Sequence, residues 1–440
     1  MSGIAEILMH QGHQVSGSDR QKSELTDYLE KMGALIHEGH KAENLTDVDY
    51  LVYSSAISKT NPEMIEAETR NIPKIRRAEM LGQLMNRKLG VGVAGTHGKT
   101  TTTSMIGHVL VEAGVDPTII VGGRLKNLMT NARLGSGDIL VAEADEYDRS
   151  FLALFPRIGV ITSLETDHLD IYSGLSDLKD TFVKFANQVN FDGSVILCAD
   201  DENVMAIAAE IKRTVILYGF SEQAEYRADD VRYEGHCSIF NVKINNKTID
   251  KFELMIPGEH NVRNALAVIA VCTELDVPIS SIKVALKTFT GVDRRFEIKG
   301  IEKNIMVVDD YAHHSTEVRA TLMSAKKGWN RHIVAVFQPH LYSRTRDFYR
   351  EFAEVLALAD EVVVTDVYPA REEKMPGVSG ALITDELKRN GFKNLHYVED
   401  KNQLPAILKD ILKSNDMLIT MGAGDIWQQG ERVLKMLKAE

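Results

Sequence analysis

One phrase recurs along this chain: a short, almost wholly apolar and β-branched run, followed by a segment of helical period. A first series comprises Val91–Ala94, Ile139–Ala144, Ile158–Ser163, Ser194–Cys198 and Thr214–Tyr218. A second comprises IMVVDDY, HIVAVFQ, EVVVTDV and the Asp416–Gly422 run DMLITMG. Strands that lack a polar face must be covered on both sides, and helices returning between parallel strands do this. The pattern therefore predicts parallel α/β units.

Two stretches interrupt the rhythm. Between Glu225 and Ile256 the residues alternate, as in CSIFNVKINNKTIDKFELMI, with Asn245-Asn246 placed to turn a hairpin. This predicts a small antiparallel insert, followed by an amphipathic helix over Asn261–Leu275. The Gly291–Gly300 stretch has no strong period and reads as a linker. With 440 residues and a usual ~150 per domain, two or three domains are expected. Boundaries fall near Leu89 and Phe296, dividing the chain into 1–89, 90–296 and 297–440.

A hydrophobic fraction of 44% and a charged fraction of 26% suit a globular chain with real cores. The net charge of -12 provides no general attraction for nucleic acid or anionic membrane, so anionic ligands need local devices. Cys198, Cys237 and Cys272 stand far apart, which predicts neither a disulfide framework nor a zinc site and fits a reducing cytoplasm. No apolar run approaches the ~18 residues of a membrane span.

The first chemical motif lies at the end of the first apolar run, in GVGVAGTHGKTTTTSMIGHVL. A strict phosphate loop, G-x-x-x-x-G-K-[ST], would need glycine at Val93, so Gly95-Thr96-His97-Gly98-Lys99-Thr100 is a shortened version. Strand, loop, Lys-Thr and helix coincide as phosphate binding requires. Helix-start N–H groups receive the phosphate oxygens, Lys99 adds charge, and the Thr100 hydroxyl can ligate Mg²⁺. A chance glycine turn is the plain alternative.

Four further clusters lie in revealing places. Glu143-Ala144-Asp145-Glu146 ends a predicted strand, where open α/β sheets bind ligands, and Glu143 can complete a Mg²⁺ shell. Asp167-His168 follows another strand, although histidine is an uncommon partner for so hard a cation. His260-Asn261 with Asn264, and DDYAHHSTE from Asp309 to Glu317, gather polar groups at helix starts; Asn261 alone would be an N-cap.

Taken together, GTHGKTTTTSM, VAEADEYDRSFL, TDHLDIY, GEHNVRNALAV, DDYAHHSTEV, FQPHLYSRTRD and MGAGDI resemble, in this order, the motifs of the Mur ligases. The resemblance spans essentially the whole chain. It implies Rossmann-like outer domains and a P-loop-type central ATPase domain. It also implies ATP-dependent joining of L-alanine to the lactyl carboxylate of UDP-N-acetylmuramate, through an acyl phosphate, in the cytoplasm and as a monomer or weak homodimer. By resemblance, Gly95, Thr96, His97, Gly98, Lys99, Thr100 and Thr101 hold the ATP phosphates. Thr100 and Glu143 bind one Mg²⁺ and His168 a second. His260, Asn261 and Asn264 lie along the adenosine, while Arg295 and Asp309 reach ATP from the carboxyl-terminal domain. Ser18, Asp19, Ser55, Asn131, His340 and Arg344 face the UDP-muramyl substrate, and His313 lies near the amine.

Departures accompany the likeness. Ser163 stands where many members have Asn, Ser315 replaces a usual Pro and Leu341 a frequent Arg. The family opens with a strand and a G-x-G-G-x-G-M loop, whereas Met1-Ser2-Gly3-Ile4-Ala5-Glu6 matches the helix that follows it. The expectation is that either this start lies too late or the uridine site is incomplete. A murein-recycling peptide ligase and a P-loop NTPase of another class remain as alternatives.

Overall fold

The structure, a computed structural model, describes residues 1–122, 131–166, 171–370 and 372–439. The chain forms two compact units. One comprises Met1–Asp230, Phe240–Phe252 and Arg263–Phe289; the other comprises Val231–Ile239, Glu253–Val262 and Thr290–Glu440. Among the described residues no helix is long and apolar enough to cross a membrane.

The first unit is built on a ten-stranded sheet. From its middle outward on one side run Leu89–Ala94, Ile139–Glu143, Thr118–Ile120 and Ala132–Arg133. On the other side run Ile158–Ile161, Ser194–Cys198, Thr214–Gly219 and then the strands of the 226–254 region. Leu89–Ala94 pairs in parallel with Ile139–Glu143 and with Ile158–Ile161. Successive crossovers thus leave this strand in opposite directions, opening a crevice at its carboxyl end.

The polar insert, expected beside the parallel sheet, extends that sheet at its edge. Its first strand, Tyr226–Glu234, pairs in parallel with Thr214–Gly219. Asn245 and Asn246 do turn the next hairpin, with φ of 50° and 64°, the left-handed conformation that asparagine tolerates. The helix after it runs Glu259–Glu274, so Asn261 lies inside its first turn rather than capping it.

Small residues let large ones close over the central strands. A Cβ on Gly92 would lie 3.3 Å from Pro156 and 3.5 Å from Phe185, and one on Gly159 would lie 2.8 Å from Val189. Phe185 stacks on Phe151 at 4.9 Å, and Phe182 meets Phe151 edge-on at 5.1 Å. Two small parallel pairs complete the amino-terminal part, Ser16–Asp19 with Leu35–Glu38 and Leu51–Tyr53 with Lys74–Arg76.

In the second unit the sheet order is Glu297–Glu302, Ile305–Asp310, Asp416–Met421, His332–Phe337, Glu361–Thr365, Leu395–Val398. Its central strands, Ile305–Asp310 and Asp416–Met421, are buried along their whole length because both faces are covered. Met306, Val308, Ile333 and Ala335 join one core, while Ile305, Val307, Val334 and Val336 join another.

The presumed linker is partly strand. Glu297–Glu302 pairs antiparallel with Ile305–Asp310 through a turn at Lys303 and Asn304, both with positive φ. It escapes the apolar signature because it is a half-exposed edge, with Glu297, Lys299 and Glu302 and an irregular register between Ile298 and Gly300.

Phe185→Ala should destabilise the first unit by about 3–5 kcal/mol, since it empties a ring-sized space beneath two core strands. Urea unfolding followed by circular dichroism measures this.

Candidate active site

Val93 is fully buried in the strand Leu89–Ala94, which explains why the phosphate loop is short: the chain cannot turn until Gly95. Gly95 turns with φ 131°, and a Cβ there would lie 2.1 Å from Thr162 Oγ1. Gly98, at φ 85°, caps the helix Lys99–Glu112, and its Cβ would meet Asn264 Oδ1 at 2.9 Å. These two positions therefore require glycine. Asn264 thus packs directly against the loop.

The end of the neighbouring strand clamps the loop. Thr96 N donates to Ser163 O at 3.0 Å, His97 N donates to Ser163 Oγ at 3.0 Å, and Glu165 N donates to Thr96 Oγ1 at 2.9 Å. The short Ser163 side chain thus ties the loop down. His97 Nε2 also lies 3.5 Å from Glu165. Thr101, Thr102 and Thr103 are buried as the helix enters the core.

Lys99 is 16% exposed, and its Nζ donates to Gly95 O at 2.6 Å and to Glu146 Oε1 and Oε2 at 2.8 and 2.7 Å. Burial alone would lower its pKa; Glu146 and then Asp145 outweigh that effect and raise it, so Lys99 is a firm cation. Part-buried Glu143 accepts from Gly122 N at 2.6 Å. Burial raises its pKa against the opposing pull of Gly122 N–H, Lys99 and the Thr100 hydroxyl bonded to it. Thr100 and Glu143 thus meet as two hard oxygen donors beside a helix start, a set suited to Mg²⁺. His168 lies outside the described residues.

The predicted substrate residues form other networks. Ser18 donates to Glu63 Oε2 at 2.7 Å and so accepts from His40 Nδ1 at 2.8 Å, while Asn44 donates to Glu63 Oε1 at 2.6 Å. Asp19 accepts from Arg20 N at 2.7 Å, and Ser55 is exposed in a turn. Asn131 accepts from Ser2 Oγ at 3.2 Å, at the start of the helix Ser2–His10.

In the second unit Asp309 ends a central strand, receiving Arg294 Nε at 3.1 Å and Thr420 Oγ1 at 2.7 Å. Burial raises its pKa, with Arg294 opposing. Arg294 and Arg295 lie over the Tyr311 ring at 4.9 and 5.3 Å. His313 takes Nδ1 to 3.0 Å from Tyr311 O and packs edge-on to His340 at 5.6 Å. His340 in turn stacks on Tyr368 at 5.9 Å, and Arg344 lies in the first turn of the helix Tyr342–Leu356. Leu341, before that helix, has φ 68°. His260 and Asn261 start their helix after Gly258, with Asn261 Nδ2 donating to Pro257 O at 2.7 Å.

Three residues of weight had been assigned no role. Glu146 and Asp310 sit inside quoted motifs and Thr162 beside one, but only the fold reveals what they touch. Asp310 accepts from Phe296 N, Ala312 N and Thr321 Oγ1 at 2.9, 2.9 and 3.0 Å, stapling the inter-sheet connection to the strand.

Residues 1–89 match the model described as Mur ligase family, catalytic domain; 93–272 match the Mur ligase middle domain, and 294–424 the Mur ligase, glutamate ligase domain. The chain belongs to the Mur ligase family. It is 49% identical over 440 residues to the UDP-N-acetylmuramate--L-alanine ligase of Geotalea uraniireducens, covering 100% of this chain and 96% of that one. It is 50% identical to the ligase of the same name from Salinibacter ruber, covering 100% and 93%. The crystal structure of the UDP-N-acetylmuramate-alanine ligase MurC from Thermotoga maritima superposes with TM-score 0.84 at 33% identity, covering 100% of this chain and 96% of that one. This Mur ligase is an ATP-dependent amide-forming enzyme with the three-domain α/β architecture.

Asp310 generates a pH prediction for this Mur ligase. Burial pushes its carboxyl from 3.8 up to about 6, with Arg295 and its backbone donors opposing. The folded state therefore binds that proton more tightly, and the stabilisation, present below the unfolded pKa, is lost as pH rises through about 6. Asp310→Asn should flatten this decline between pH 4 and 7 by about 3 kcal/mol, as judged by the difference in slope of urea stability against pH.

Proposed function

We propose that this Mur ligase joins L-alanine to the lactyl carboxylate of UDP-N-acetylmuramate, with ATP, as a cytoplasmic step of peptidoglycan precursor synthesis. The observation that carries the reading is the shortened loop: a glycine-built turn before a helix, with a buried lysine and a Thr–Glu oxygen pair. It lies within a chain similar over its full length to ligases of that name.

A carboxylate is a poor acyl donor and must first take a phosphoryl group. That transfer depends on positioning and on neutralising phosphate oxygens. Lys99 and the N–H groups opening its helix would hold the β/γ-phosphates, with Thr100 and Glu143 holding Mg²⁺. The ion, when bound, neutralises phosphate charge that would repel the substrate carboxylate. His168 is assigned to a second ion. His260, Asn261 and Asn264 would fix the adenosine, and Arg295 and Asp309 would add contacts from residues 297–440 and the segment before them. Ser18, Asp19, Ser55 and Asn131 would orient the UDP-muramyl group, with His340 and Arg344 at its reactive end. His313, whose Nδ1 faces Tyr311 O, would meet the incoming amine. The assignment of residues 1–89 to the UDP-substrate, 90–296 to ATP and 297–440 to the last step follows the same reading.

With oxygen-18 in the lactyl carboxylate, one label should appear in released phosphate, and only when UDP-N-acetylmuramate, alanine and ATP are all present. Phosphate release that needs a murein peptide instead of alanine would replace the substrate reading. Lys99→Ala should retain the fold by circular dichroism and lose at least ~100-fold in kcat/KM, as expected for removal of a charge at the transferring phosphate.

A further inference from the structure

The ammonium of Lys99 is already fully engaged within its own loop. It has three N–H donors. Gly95 O at 2.6 Å and, more distantly, Thr96 O at 3.4 Å belong to the loop itself, and the two oxygens of Glu146, at 2.8 and 2.7 Å, take the remaining directions. A nucleotide phosphate can reach Nζ only along the directions Glu146 now occupies. The Glu146 side chain is 2% exposed, so this clasp is internal to the site rather than a solvent-swept surface pair.

The backbone behind the carboxylate is held firmly. Glu146 O accepts from Arg149 N at 3.0 Å and from the Tyr172 hydroxyl at 2.6 Å. The chain then passes through two consecutive non-glycine residues in the left-handed region, Asp148 and Arg149, with φ of 54° and 55°. Such a pair persists only where its surroundings enforce it. Arg149 lies 4.9 Å above the Tyr172 ring and forks onto both oxygens of Asp177 at 2.8 Å. Tyr172, Arg149 and Asp177 thereby fix the point from which the Glu146 side chain reaches Lys99.

We propose that Glu146 is a positioning residue that holds Lys99 until a nucleotide phosphate takes its place, and that the nucleotide binds by displacing it. A largely buried ammonium without a counter-ion is costly, so some anion must accompany Lys99 at every stage. Glu146 serves before the nucleotide arrives and after it leaves; the phosphates serve between. No bond is made or broken; one ion pair replaces another. The carboxylate is thus a built-in competitor that keeps Lys99 aimed, lowers nucleotide affinity and recaptures the lysine as ADP departs. The proposal rests on the ATP-ligase reading.

Calorimetric titration of the full chain with ADP and magnesium, inorganic tripolyphosphate, and adenosine tests it. Glu146→Gln keeps the shape and removes the charge. It should bind ADP and tripolyphosphate about tenfold tighter than the wild type, because Lys99 no longer spends most of its time occupied, with adenosine unchanged. Glu146→Asp, which keeps the charge but cannot span both contacts, should gain about threefold, and it decides the matter if the Gln variant fails to fold. Unchanged or weaker binding of the phosphate ligands, or an equal change with adenosine, would overturn the displacement. Absence of ADP binding by the wild type would overturn the nucleotide reading itself.

Discussion

A buried positive charge must have a negative partner, and much of the first unit is arranged around meeting that requirement at Lys99. The central strand delivers the lysine to the carboxyl edge of the sheet, where the helix start already favours anions. The same edge carries Glu143, Asp145 and Glu146 from the next strand and Thr162 and Ser163 from the strand on the other side. Carboxylates and hydroxyls there immobilise the loop and compensate its charge without occupying the sheet interior. The second unit places its polar groups by the same rule. Asp309 and Asp310 end a strand whose preceding residues are all apolar, Thr420 lies near the end of the strand beside it, and Arg294 bridges Asp309 to Gly422 O at 2.7 Å.

The elements most legible in the sequence were those whose physics is local. Runs such as Ser194–Cys198 and Ile305–Asp310 are buried on both faces, so composition alone marks them. Asn245-Asn246 turns a hairpin because asparagine accepts positive φ. Glu297–Glu302 was illegible because an edge strand carries charges on purpose, and the partner that makes it a strand lies across a turn. Within the site, glycines and the Lys-Thr pair announced the loop, since steric need and charge are written at fixed offsets. Glu146 could not be given a role in the same way. Its significance comes from reaching Lys99 across 47 positions of chain, a distance that only the strand pairing closes.

Local substitutions show how the fold accommodates a change of residue type. At Ser163 a side chain shorter than the family's frequent Asn still accepts from His97 N, because the strand end approaches the loop closely. Leu341, where Arg is frequent, occupies a left-handed position with its N–H donating to Tyr368 O at 3.0 Å and its carbonyl receiving Thr345 N at 3.1 Å. Backbone hydrogen bonds, independent of side-chain identity, hold this conformation, which for leucine is otherwise unfavourable.

The position of Leu89–Ala94 also governs how the molecule comes into being. This strand lies between Ile139–Glu143 and Ile158–Ile161, both made later, so during synthesis it emerges with neither neighbour to pair with. The clamp from Thr162, Ser163 and Glu165 arrives later still. Until residue 165 has left the ribosome, the loop lacks the wall that Ser163 and Glu165 provide. The apolar stretch around Val91 and Val93 is meanwhile an unpaired strand of the kind that associates non-specifically. Closing the sheet around it joins distant segments, an ordering that favours slow, late completion of the nucleotide pocket. The catalytic loop, among the first parts of the central sheet to be translated, thus waits some 66 residues for the strand end that clamps it.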